Sequence, residues 1–205
     1  MDGDQAPVVQ NVDVGVVVDI EVREAIAEDL AALTQLVEEF ESEIGSEKGG
    51  DVWLRLHRRP LPLVASLADS VRVGTDRHSQ SWVAVATIDD VVVGFASAHL
   101  RLVPDGVPHG ADVALLVPVG ADTDPNALQV RAGPIGELTE LMVTSGARGV
   151  GVGRALLNSV VDRCVRHGCA GVDAVALPGA RITKNFFEAA HFTARAIVVH
   201  HRLRP

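Results

Sequence analysis

The stretch ARGVGVGRALLNSVV, residues 147–161, sets glycine at every second position, Gly149, Gly151 and Gly153, and then runs into an apolar segment with helical spacing. Glycine ordered inside a helix or strand costs about 0.5–1 kcal/mol relative to alanine. Three of them at the mouth of a helix therefore serve something other than helix formation. The first backbone amides of a helix have no intrahelical partner, and the helix dipole adds partial positive charge there. Removing side chains from that turn lets a phosphate chain approach the amides closely. Arg148 and Arg154 add charge on either side. The physics predicts a diphosphate site over residues 148–154, without saying which diphosphate-bearing molecule it holds.

Several ligand classes share this logic. The P-loop pattern GxxxxGK[ST] is absent, since no Lys-Ser or Lys-Thr follows the glycines. A dinucleotide fingerprint needs GxGxxG, whereas the spacing here is GxGxG and only about 50 residues follow, too few for the rest of such a fold. Asp173 lies at the distance of a ribose-binding acid, but at the start of its strand rather than the end. A purely structural glycine turn stays open beside the diphosphate reading.

Outward from the glycines the chain alternates strands and helices. IGELTELMV (135–143) reads as a strand leading in, and Leu156, Leu157, Val160, Val161 and Cys164 give the following helix one apolar face, with Gly168 placed to end it. GVDAVAL (171–177) is a strand, Pro178-Gly179 a turn, ARITKNFFEAAHF (180–192) a helix, and TARAIVVHHRL (193–203) a last strand. Upstream, residues 14–25 read as a strand. Leu30, Leu33, Leu36, Val37 and Phe40 mark a helix over 28–43, and a second helical region at 51–73 is broken at Pro60 and Pro62. Residues 81–102 form two β-rich runs around Asp89-Asp90, a hairpin signal. Residues 104–134 are long for a connection and are expected to be a functional loop, an added hairpin or a partly disordered insertion. The order is that of one α/β domain over 14–205, preceded by a loose acidic segment, 1–13.

The formal net charge is −9, and it is unevenly placed: residues 1–50 hold 13 Asp/Glu against 2 Lys/Arg. A nucleic-acid surface needs a basic face, so none is expected. A cationic small substrate or a basic partner suits the acidic first third, as does plain solvation of a helix. No apolar run is long enough to cross a bilayer and the first residues do not resemble a signal peptide, so a cytoplasmic protein is expected. Cys164 and Cys169, five apart, match neither a CxxC nor a zinc pattern.

LMVTSGARGVGVGRALL (141–157) resembles the acyl-CoA signature of the GNAT acetyltransferase superfamily, in which a strand L-x-V is followed by R/Q-x-x-G-x-G/A at a helix start. Leu141 and Val143 match the strand, and Arg148, Gly151 and Gly153 match the loop. FFEAAHF (186–192) resembles the family's aromatic-rich helix end. The resemblance covers most of the chain. It implies a mixed, twisted α/β sheet of six to seven strands flanked by helices, with the central strands 135–143 and 171–177 splayed to take the pantetheine arm as an extra strand. It further implies acetyl-CoA as acyl donor, held by Leu141, Met142 and Val143 on the strand and by Arg148, Gly149, Val150, Gly151, Val152, Gly153 and Arg154 at the loop. The implied reaction is direct attack of an amine on the thioester. The acceptor is then an unidentified, cationic small-molecule amine, with a protein lysine or N-terminus, or a non-catalytic acyl-CoA-binding module, as alternatives. A homodimer is left open.

For the base, Glu137 and Glu140 lie on the acyl-carrying strand, and strict alternation would send residues three apart to opposite faces. In the histone-modifying members a glutamate four residues before the position of Leu141 acts as base, which corresponds to Glu137; Glu140 and a water-relayed base stay open. The family's acidic tyrosine corresponds to Phe187, and the chain has no tyrosine at all. Its cofactor-contacting asparagine corresponds to Ala180. The thiolate would then be protonated by water, Ser145 or a histidine. The histidines show no H-x-x-x-H or H-E-x-x-H spacing, so no metal is expected, and His191 is expected to end its helix.

Overall fold

The computed structural model describes residues 18–61, 63–74, 80–101, 116–118, 128–130, 134–194 and 199. Its centre is a five-stranded sheet of order β1-β2-β3-β6-β7, comprising β1 (Glu21–Glu24), β2 (Ser81–Ile88), β3 (Val91–Arg101), β6 (Ile135–Val143) and β7 (Gly171–Ala174). A separate two-stranded ribbon pairs β4 (Leu116–Pro118) with β5 (Leu128–Val130). Among the described residues the sheet thus has fewer than the six to seven strands expected. The described part of the 104–134 insertion forms its own antiparallel ribbon instead of joining the sheet, and most of the expected last strand, 193–203, lies outside the described residues. Strand 171–177 stops at Ala174.

β1, β2, β3 and β6 pair antiparallel, whereas β7 runs parallel to β6 and needs the crossover helix α4 (Val152–Arg166) between them. The hairpin between β2 and β3 turns at Asp89 and Asp90, with φ of 49° and 63°. Positive φ at both central residues is the type I′ condition, whose twist matches that of the flanking strands. The interrupted region becomes two helices, α2 (Gly50–His57) and α3 (Leu63–Gly74), separated at the Pro60 segment as expected, after α1 (Leu30–Ser46).

The two faces of the sheet bury different helices. On one, α1 and α3 bring Leu33, Leu36, Val37, Phe40, Leu67 and Val71 against Val83, Val85, Phe95 and Met142. On the other, α4 presents Val152, Leu156, Leu157, Val160 and Cys164 to Ala96, Ala98 and Leu138. Leu156 is fully buried; a side chain of that kind contributes about 1.5–3 kcal/mol. Glycine at 136 is what lets α4 approach, because a Cβ there would lie 2.2 Å from the Cys164 Sγ. Burial in this contact pushes the Cys164 thiol up to about 12, with Cys169 beside it adding to the effect. A buried Arg163 lies over the Trp82 ring at 4.7 Å and pairs with Glu24. α5 (Arg181–Ala189) closes the end of the α4 layer with Phe187.

Among the described residues no helix is long and apolar enough to cross a membrane.

Candidate active site

β6 and β7 are in register only from Ile135↔Gly171 to Leu138↔Ala174. β7 then ends while β6 continues to Val143, so the two strands part. On its other edge β6 stays paired to β3 as far as Gly94↔Val143, and the Thr144 N–H donates to the Val93 carbonyl at 2.9 Å. Successive backbone groups of a strand point to opposite edges. The N–H and C=O of Leu141 and Val143 therefore point to the parted side, where a ligand can add like a strand.

A cavity of about 500 Å³ lies along that open edge. Its floor is Leu138 to Val143; α1, the Glu47 that caps it and α2 supply Phe40, Glu43, Ile44, Glu47 and Trp53, and α5 supplies Ile182, Thr183, Phe186 and Phe187. Arg148, Gly149, Gly151, Gly153 and Arg154 close one end. Gly149 and Gly151 have φ of 82° and 107°, and Gly151 is the residue that opens α4. Two of the three glycines are thus required by backbone conformation. Gly153 lies within the helix, and a Cβ there would meet Phe186 at an ordinary 3.5 Å. Val150 is exposed in the turn, while Val152 is buried and anchors the helix start in the core.

The two arginines are engaged inside the chain. Arg148 donates through Nε to the Val143 carbonyl at 2.8 Å and through Nη2 to Glu43 Oε1 at 2.6 Å. Arg154 donates to the Ala189 carbonyl at 2.8 Å. Of the acidic stretch on α1 and its C-cap, Glu41 pairs with Arg58 at 2.6 Å, and Glu43 and Glu47 line the large cavity.

The strict alternation expected of β6 fails at one point. Ser97 pairs with Glu140 and Ala98 with Leu138, so Thr139 is an extra residue, a β-bulge, with its hydroxyl donating to the Ser97 carbonyl at 3.0 Å. The bulge resets the parity. Glu137 and Glu140 project from the same face of the sheet, not from opposite faces: Glu140 sits with Ser97, and Glu137 with His99 and Arg101. A bulge has no signature in residue type here, which is why the spacing misled.

The two glutamates have different surroundings. Glu140 is buried and receives Arg59 Nε at 3.0 Å on each oxygen, with Nη2 in a further close contact. The same guanidinium donates to Ser97 Oγ at 2.6 Å and Ser70 Oγ at 3.0 Å. Glu137 is about one third exposed, 3.4 Å from His99 Nε2 and 3.5 Å from Arg101 Nε, and Arg101 continues to Asp173 at 3.6 Å.

A second cavity, of about 290 Å³, opens on this face. It is lined by His57, Arg58, Arg59, Ser97, His99 and Glu140, among others, and it shares Thr139 and Glu140 with the large cavity. Sequence reasoning missed Arg59, His99 and Trp53. Arg59 sits in HRRPLP, whose local pattern says only "helix break". His99 had a signal: Ser97, His99 and Arg101 alternate with Ala96, Ala98 and Leu100. His78, His109, His200 and His201 lie outside the described residues, and among the described residues no three His, Cys, Asp or Glu side chains converge as metal ligands.

A strand parted from its parallel neighbour, with a glycine-led helix start at the end of the gap, can be set against known proteins. The family model described as acetyltransferase (GNAT) family matches residues 36–192, most of the chain. The chain belongs to the GNAT acetyltransferase family. No curated protein matches it in sequence. Among solved structures, this GNAT chain is similar to the aminoglycoside acetyltransferase AAC(6')-Iy in complex with a bisubstrate analog, CoA-S-monomethyl-acetylneamine, at 20% identity and TM-score 0.59, covering 91% of this chain and 99% of that one. It is also similar to an aminoglycoside acetyltransferase from an uncultured soil metagenomic sample in complex with sisomicin, at 15% identity and TM-score 0.57 over 91% and 96% of the chains. A transcriptional regulator from Bacillus halodurans C-125 matches at 16% identity and TM-score 0.58 over 90% and 100%. At these identities the likeness is one of fold.

Proposed function

We propose that this GNAT chain transfers an acetyl group from acetyl-CoA to the primary amine of a small-molecule acceptor. The observation that carries the reading is the meeting of two cavities at the Thr139 bulge: a long one beside the parted strand, ending at the glycine turn, and a small polar one on the opposite side of Glu140. In this reading the pyrophosphate lies on the amides of Gly149 to Arg154, with Arg148 leaving Val143 to reach it. The pantetheine arm pairs with Leu141 and Val143, and Met142 holds the strand through its core side. The thioester carbonyl then lies at the bulge, where a backbone N–H polarises it. The acceptor amine enters from the small cavity. The pattern of the histone-modifying members points to Glu137 as base, and Glu140, open by its position beside the acyl carbonyl, is already committed to Arg59; in this reading the Glu137 cluster takes the proton, directly or through water.

A second reading is a non-catalytic acyl-CoA-binding module. Phe187 and Ala180 favour it, because they line the cleft at the positions of the family's acidic tyrosine and asparagine. A thiolate whose parent thiol has a pKa of about 8.5 can leave without a phenol acid, so these losses do not forbid transfer. The acidic α1 supports a cationic acceptor, although Glu41 and Glu43 are partly neutralised by Arg58 and Arg148.

Calorimetry with acetyl-CoA on the wild-type protein and on Gly151→Glu, followed by CoA-release assays with spermidine, kanamycin, L-lysine and a lysine peptide, tests the reading. Binding by the wild type and not by the variant, with release by at least one amine, is expected. Equal binding by both proteins would remove the diphosphate site. Tight binding with no release by any amine would leave the module.

A further inference from the structure

We infer that His99, oriented by Glu137, takes the proton from the acceptor amine; the inference rests on the acetyl-transfer reading above. Three side chains lining the small cavity can accept a proton: His57, His99 and Glu140. Glu140 is bound on both oxygens by Arg59 inside the fold. His57 sits at the end of α2, exposed, with Nδ1 2.9 Å from the Trp53 carbonyl and its ring stacked on Trp53. His99 stands on β3, the strand that pairs with β6 across the bulge, and is itself opposite Glu137 in the register.

The sheet face changes character here. Phe95 and Met142 are buried under α1 and α3, and the next positions outward are polar: Ser97 and Glu140, then His99 and Glu137, then Arg101 with Asp173. His99 is 39% and Glu137 32% exposed, so both reach water, but only His99 lines the cavity. His99 Nε2 lies 3.4 Å from the Glu137 carboxylate; in this proposal that carboxylate accepts the Nε2–H, which leaves the lone pair on Nδ1 as the acceptor. This is the arrangement of a base held in one tautomer by a carboxylate. Charged groups around His99 among the described residues are Glu137 from β6, Arg101 on its own strand, Asp173 from β7 beyond Arg101, and Arg58, Arg59 and Glu140 around the shared cavity.

The step balances. The acceptor ammonium gives one proton to Nδ1 and thence to water. The freed nitrogen lone pair forms the C–N bond at the thioester carbon, the C–S bond breaks, and the second proton of the nitrogen ends on the CoA sulfur. His99 is the catalytic residue; Glu137 is a positioning residue.

The test measures CoA release from acetyl-CoA with spermidine, kanamycin, L-lysine and a lysine peptide, and separately with hydroxylamine, which is largely unprotonated at neutral pH. Proteins compared are wild type, His99→Gln, Glu137→Gln, the double variant and His57→Gln. A base of this kind contributes about 10²–10⁴-fold, so His99→Gln is expected to lose at least about 100-fold in kcat with the amine used best. Its KM for acetyl-CoA stays at the wild-type value, the deficit shrinks as pH rises and the amine deprotonates unaided, and hydroxylamine reacts at near wild-type rate. Glu137→Gln loses less, and the double variant is no slower than His99→Gln alone, because the two act as one unit. A rate within about threefold of wild type in His99→Gln, the large loss falling on His57→Gln instead, or an equal loss with hydroxylamine would each overturn the proposal. Should His99→Gln not fold, a wild-type rate in Glu137→Gln overturns it. No release by the wild type with any amine, despite acetyl-CoA binding, removes the transfer reading and this inference together; release by the wild type with an unaffected His99→Gln removes this inference alone.

Discussion

Gly149, Gly151 and Gly153 look alike in the sequence and differ in the fold. Gly151 carries φ of 107° at the entrance of α4, a region where a Cβ costs about 1–2 kcal/mol. Gly153 is helical and has room for a methyl group beside Phe186. Gly151→Ala is therefore expected to lower the unfolding free energy by about 1–2 kcal/mol in urea titration. Gly153→Ala is expected to leave it equal or raise it by up to about 1 kcal/mol, with CoA binding retained. Equal losses from both would contradict the conformational account. The two long helix ends make a second comparison. α4 ends with the Cys169 N–H on the Cys164 carbonyl and the Gly168 N–H on that of Val165; α5 ends with Phe192 on Phe187 and His191 on Glu188. Both are Schellman closures, which place one residue in the left-handed region. At α4 it is glycine, φ 68°, and at α5 it is His191, φ 67°. His191→Gly should raise stability by about 1 kcal/mol in the same titration, since the strain of a side chain there is removed. A loss of stability would mean that the imidazole makes a contact that outweighs the strain. The expectation that His191 ends its helix holds.

At the scale of elements, Arg59 ties the α2–α3 connection to the sheet. Its guanidinium is 12% and the Glu140 carboxylate 9% exposed, so neither is well solvated once the other is gone. Removing one partner of a buried pair costs about 3–5 kcal/mol, whereas replacing both by apolar groups is often close to neutral. Arg59→Met is expected to lose about that much in urea unfolding, and Arg59→Met with Glu140→Leu to recover most of it. Equal stability of Arg59→Met and wild type would show that the pair adds nothing to the fold. This pair was not legible in the sequence because its members are 81 residues apart and the segment holding Arg59 has no periodicity. The elements themselves were legible. The apolar faces of α1 and α4 appear where their spacing put them, with Leu33, Leu36, Val37 and Phe40 on one and Leu156, Leu157, Val160 and Cys164 on the other. The hairpin at Asp89-Asp90 also forms as read. Local periodicity suffices for these, because each buries one face against whatever it meets.

On the scale of the whole molecule, the cleft lies between α1 and α2 on one wall and α5 on the other, and Arg148 of the glycine loop reaches across its mouth to Glu43 of α1. The same arginine covers the Val143 carbonyl, so a ligand that pairs with the parted strand and places a diphosphate at the loop must draw Arg148 away from both. The pair is about half exposed on each side, and such pairs contribute about 0.2–1 kcal/mol. Glu43→Gln is accordingly expected to tighten CoA binding by about 1.5- to 5-fold by calorimetry, with the gain smaller at high salt. Weaker binding would mean that Glu43 supports the bound state instead. The sequence by itself determined the α/β order, the apolar helix faces and the glycine turn at the start of α4, since each depends on residues close together in the chain and on backbone conformations open to few residue types. Only the tertiary structure decided that five of the described strands form the main sheet, that the bulge at Thr139 turns Glu137 and Glu140 to one face, that Arg59 claims Glu140, and that His99 stands against Glu137 at the rim of a second cavity. Those facts depend on register and on contacts between distant segments, and a one-residue shift in strand pairing exchanges which side chains share a face without changing any local pattern.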